Sequence, residues 1–198
     1  MTETQQPQSS LILSIRNFSK GVPYYGSGLR PDGSENHGFK PLKGHTDDVA
    51  LIPEAQDNSA LRNALLALNG QATPFFTLGC EKSCNQDKSG YWMRGFLELS
   101  FNYTELVLDA QRYFKLFFDF NHWFWEQAQE ATVEYHFQLE GASFMNISVN
   151  GFTVVVWITT VLVPTAEDAQ KAWAWALDTL VTFLMSIAPN PALRGHIY

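Results

Sequence analysis

The sequence predicts an α+β domain, with an antiparallel sheet of about five to six strands around a long central hairpin, packed on one face by about three helices. Two observations carry this expectation. The first lies between Val133 and Leu162, where two alternating runs flank Asn150-Gly151. Val133, Tyr135, Phe137, Leu139, Met145, Ile147 and Val149 alternate on one arm; Phe152, Val154, Val156, Ile158 and Leu162 alternate on the other. A two-residue Asn-Gly turn would set Val149 opposite Phe152 and put both apolar sets on one face. The second is a pair of apolar stripes at helical spacing. One runs Leu106, Ala110, Tyr113, Phe117, Phe120, Phe124, Ala128 and the other Ala169, Trp173, Ala176, Leu177, Leu180, Leu184.

Taken in order, Leu11, Leu13 and Ile15 alternate with polar neighbours and read as a short first strand. Residues 19–48 follow as a long loop, because six glycines and three prolines leave no periodicity there. Val49 to Ile52 reads as a brief strand. Asp57 or Asn58 can cap a helix that carries Leu61, Ala64, Leu65 and Leu68 and stops at Asn69-Gly70. Phe75 to Leu78 and Tyr91 to Tyr103 read as paired strands joined by the polar segment Glu81 to Gly90. The segment from Leu108 to Gln129 satisfies both periods, and its length favours helix. Its rings off the main stripe, Trp123 and Trp125 among them, then need a cover or an interface. Thr165 caps the last helix, with Glu167 and Asp168 at its positive start, and Pro189 and Pro191 close it.

Residues 1–198 are read as a single domain, since a hydrophobic share of 45% is ample for a core without disulfides or metal. Aromatic residues make up 14% of the chain, an unusual load. Net charge is −7, and the acidic excess sits in the second half, where residues 104–198 hold four Lys and Arg against ten Asp and Glu. That balance argues against nucleic acid, whose phosphates demand clustered cations. Met1 to Ser10 lacks the basic start and apolar run of a leader, and Phe152 to Val163 is too short for a membrane helix. No membrane association and a cytoplasmic setting are therefore expected.

Chemical motifs are sparse. Cys80 and Cys84 have C-x-x-x-C spacing without a second ligand pair, so neither a metal nor a cofactor is expected. Gly26-Ser27-Gly28 precedes Leu29, Arg30 and Pro31, which matches no phosphate-binding loop. No G-x-S-x-G or H-E-x-x-H occurs. His45, Asp47 and Asp48 are the catalytic candidates: an imidazole and two carboxylates suit base-and-orienter work or a hard metal. A solvated turn, in which Thr46 or Asp47 bonds its own backbone, is the simpler explanation. His136 falls on the polar face of its strand.

Tyr24, Tyr25 and Arg30 in the long loop, with Lys40 and Lys43, combine rings for contact with cations for orientation. Together with Trp123 and Trp125 they form the candidate binding set. The reading is a non-catalytic binding protein that uses an aromatic-rich surface and an acidic C-terminal half to meet a protein partner or a second copy of itself. The alternatives are a hydrolase or metal-dependent enzyme with its site in residues 21–48, and a carrier of a small apolar ligand.

Overall fold

The computed structural model describes residues 9–24, 26, 29, 33, 37–127, 133–189, 193 and 195–198, apart from the side chains of 17–19 and 127. Five strands form one sheet in the order β1-β4-β5-β3-β2. They are β1 (Ser10–Val22), β2 (Phe75–Gln86), β3 (Tyr91–Phe101), β4 (Val133–Phe144) and β5 (Val149–Thr160). The sheet is mixed, not wholly antiparallel. β1 joins β4 in parallel, because the chain crosses from β1 to the far edge before returning to the middle.

Helices α1 (Pro53–Gln56), α2 (Ser59–Leu68), α3 (Thr104–Val107), α4 (Ala110–Gln127) and α5 (Ala166–Met185) complete the α+β fold. The three longer ones, α2, α4 and α5, pack together on one side. Their ends obey the capping chemistry in the sequence. Asn58 Oδ1 accepts from the Leu61 amide at 2.9 Å, Asp109 Oδ1 from the Gln111 amide at 2.9 Å, and Thr165 Oγ1 from the Asp168 amide at 3.1 Å.

The central hairpin exists, in a different register. Val133 pairs with Thr160 and Phe144 with Val149, so the turn is Met145 to Ser148 and Asn150-Gly151 lies inside β5. Ser148 takes the left-handed conformation (φ 55°) that the turn needs. Gly151 serves another purpose: a Cβ there would sit 2.5 Å from the Val107 carbonyl oxygen, so only glycine lets α3 approach β5. The shift between expected and observed pairing is an even number of residues. Val133, Tyr135, Phe137 and Leu139 therefore still share a face with Val154, Val156 and Ile158.

That face holds the main core. Phe120 of α4 is fully buried, with ring centroids 4.9 Å from Tyr135, 5.5 Å from Phe137 and 5.2 Å from Phe183 of α5. The Tyr135 hydroxyl donates to the Ala176 carbonyl at 2.8 Å. Trp173 lies over Gly95, where a Cβ would meet the indole at 2.8 Å.

Two local expectations fail. Val49 to Ile52 is not a strand: Thr46–Leu51 forms a 3-10 helix running into α1, since Pro53 suits a helix start. The long loop begins only after Val22, as residues 19–22 continue β1 beyond a register shift between Arg16 and Ser19.

Candidate contact surface

Alternate residues of each strand point away from the helices, and the observed register assembles them into transverse rows across all five strands. One row reads Ser10, Glu134, Thr159, Arg94, Ser83. The next reads Ile12, His136, Trp157, Phe96, Glu81, and the third Ser14, Gln138, Val155, Glu98, Gly79. Arg16, Glu140 and Thr153 begin a fourth.

One half of this face, which lies opposite α4 and α5, is covered, with α3 reaching it at Gly151. Tyr24, Phe39 and the C-terminal Tyr198 close over Phe76 and Phe144, with ring centroids 4.9 Å apart for Phe76–Tyr198 and 5.3 Å for Phe39–Tyr198. The tail is pinned by Asn102, whose Nδ2 donates to the Tyr198 carbonyl at 2.9 Å and whose Oδ1 accepts from the Tyr198 amide at 2.9 Å. This second small core was not expected from the sequence.

The other half carries no described helix. Its centre is aromatic: Phe96 and Trp157 lie 4.8 Å apart, and the Arg94 guanidinium sits 4.5 Å above the Trp157 ring. Trp92, Arg94 and Trp157 line a shallow pocket with Glu81, Ser83 and Asn85. Trp92, Phe96 and Trp157 are half-buried, while Ile12 and Arg94 are exposed. Ser14 Oγ and His136 Nε2 are 2.6 Å apart at one side.

An ion cluster marks the boundary between the halves. The Lys20 ammonium contacts Glu98 and lies 2.7 Å from Glu140, which also meets Arg16 at 3.3 Å and Gln138. Glu98 is 5% exposed and Glu140 4% exposed. Burial raises the Glu98 carboxyl above its ordinary value, against the pull of Lys20. For Glu140, burial is outweighed by Lys20, Gln138 and Arg16, and its carboxyl is held below the ordinary value. Lys20 bridges both acids and Arg16 adds a second cation at Glu140, so this cluster ties β1, β4 and β3 together.

The sequence candidates are scattered. Tyr24 lies beside this boundary, its hydroxyl donating to the Leu78 carbonyl at 2.6 Å and filling the space where Gly79 lacks a Cβ. Tyr25 and Arg30 lie outside the described residues. His45, Asp47 and Asp48 sit at the start of the 3-10 helix, His45 and Asp47 exposed. Among the described residues no three His, Cys, Asp or Glu gather in a way that could hold a metal ion.

Trp123 packs on Phe120 and Phe183 and is half-buried, whereas Trp125 is 44% exposed, its Nε1 donating to Asn121 Oδ1 at 2.8 Å. Lys43 is structural: its ammonium donates to the Gly70 and Thr73 carbonyls at 2.7 and 2.8 Å, closing the turn after α2. Cys80 is half-buried in β2 and Cys84 is exposed. No helix among the described residues is long and apolar enough to cross a membrane.

The cluster of Trp157, Phe96 and Arg94 is readable only in part: alternation separates odd from even positions within β3 and within β5, but only the pairing of β3 with β5 brings these residues side by side. No family model, no curated protein and no solved structure matches the chain.

Proposed function

We propose that this is a non-catalytic binding protein whose contact surface is the open half of the sheet face opposite α4 and α5, and that its occupant is a protein partner. The observation that carries the reading is the row Ile12, His136, Trp157, Phe96, Glu81, which crosses the whole sheet with an aromatic centre flanked by His136 and Glu81. Contact surfaces have this anatomy: aromatic and arginine anchors in the middle, polar groups at the rim. The rigid sheet holds the anchors in place before binding, which lowers the entropy cost of association. Net charge of −7 favours a basic partner, since opposite charge accelerates encounter.

The test is affinity capture from the source cell with the intact protein as bait, beside the variants Trp157→Ala and Arg94→Ala. The reading expects one partner that both variants bind more weakly, by about tenfold or more, while their thermal unfolding stays close to that of the parent. A partner retained equally by both variants would move the contact surface elsewhere.

A further inference from the structure

The geometry points to a second, separate interface: an isologous dimer in which β1 pairs antiparallel with β1 of another copy. β1 is the end strand of the described sheet, paired on one side with β4, and Ile12, Ile15 and Arg16 along it are exposed. Exposed edges are normally blunted by charge, proline or a bulge. Here Ser10 to Ile15 contains none of these, and the irregularity comes only between Arg16 and Ser19. The regular segment Ser10 to Arg16 has seven residues with Leu13 at its midpoint.

A two-fold axis at Leu13 makes that segment complementary to itself. Leu11 meets Ile15 of the second copy on the helix side, and Ser10 meets Arg16 on the other. Ser10 is already bonded to Glu134 Oε2 at 3.3 Å, so each exposed Arg16 arrives beside a carboxylate of the opposite copy. An apolar middle, a cation at one end and an acid at the other is the pattern that a two-fold contact requires.

The helices extend the contact. α4 packs on Phe137 of β4 and α5 lies over β5 and β3, so with Trp123 turned to α5, Phe118 and Trp125 leave α4 on the flank that faces the β1 side of the sheet. Both are exposed, at 60% and 44%, and Ile15, on the helix side of β1, is 62% exposed. Strand pairing would set β4 and its counterpart roughly 14 Å apart, at about 4.8 Å per strand. Helices leaning over the β1 edge then come within reach of the usual packing distance of about 8–10 Å. Both open sheet faces stay accessible, so the dimer does not compete with the partner surface.

Analytical ultracentrifugation at high micromolar concentration tests this, with the parent, Phe118→Glu and Leu13→Cys. The parent is expected at twice the chain mass of 22.4 kDa, and Phe118→Glu at the chain mass with an unchanged circular dichroism spectrum. Mild oxidation of Leu13→Cys is expected to join position 13 of one chain to position 13 of the other, read by peptide mapping, because directly opposed strand residues lie within disulfide reach. A parent that stays monomeric overturns the inference. So does a dimer that Phe118→Glu leaves intact and Leu13→Cys fails to cross-link.

Discussion

Lys20 and Glu98 are in direct contact although their strands, β1 and β3, stand three places apart in the sheet. In a flat sheet the two backbones would be about 14 Å apart, at about 4.8 Å per strand. The side chains meet by reaching towards each other past Thr153 of β5, which lies beside Glu98. The contact closes the inner end of the proposed binding face.

Replacing Lys20 by Met strands two buried carboxylates. Breaking a buried ion pair from one side costs about 3–5 kcal/mol. Urea unfolding at neutral pH should show a loss of that order. A loss under about 1 kcal/mol would mean that water already shields the cluster.

The same acids give opposed pH dependences. Glu98 is raised above its reference of 4.5, so its contribution is complete below 4.5 and is lost as pH rises through its folded value. Glu140 is lowered from 4.5, so its contribution is complete above 4.5 and is lost as pH falls through its own folded value. Glu98→Gln should flatten the decline on the alkaline side of 4.5 and leave the acid limb in place. Unfolding midpoints measured in steps from pH 3 to pH 8 would reveal it.

Lys43 should show itself at alkaline pH. Burial lowers its ammonium from 10.5 to about 8. The unfolded chain then holds the extra proton between those values, so stability climbs as pH rises from about 8 towards 10.5. Lys43→Met should abolish that rise while lowering stability at neutral pH, because the Gly70 and Thr73 carbonyls lose their donor. Parallel pH–stability curves for parent and variant would contradict the assignment.

Gly95 marks where α5 presses hardest on the sheet. A Cβ there would stand 2.5 Å from the Glu81 carbonyl oxygen and 2.8 Å from Trp173. Gly95→Ala should cost about 1–3 kcal/mol, as overpacking usually does. Phe120→Ala, which empties the middle of the helix-side core, should cost about 3–5 kcal/mol. Thermal unfolding of both variants gives the comparison.

The sequence revealed those parts of the fold that depend on local periodicity. α4 was legible because Tyr113, Phe117, Phe120 and Phe124 repeat over a length no strand needs. The caps at Asn58 and Thr165 were legible because they satisfy backbone donors within three residues. The hairpin register was not. Asn150-Gly151 is a strong turn signal, yet Gly151 is needed against Val107, a contact 44 residues away in the chain, and tertiary approach decided its place. The parallel entry of β1 and the second core under Tyr198 are also long-range, and neither Phe39 nor Phe76 carries a local sign of them. The proposed contact surface was not legible for the same reason: Arg94, Phe96 and Trp157 become neighbours only when β3 pairs with β5.

Hydroxyl-radical footprinting of the protein alone and with its captured partner bears most directly on the central claim. Trp157 and Phe96 should label when the protein is alone and become protected in the complex, while Trp173 stays silent in both. Labelling of Trp157 that the partner leaves unchanged, with protection appearing on another surface, would contradict the account.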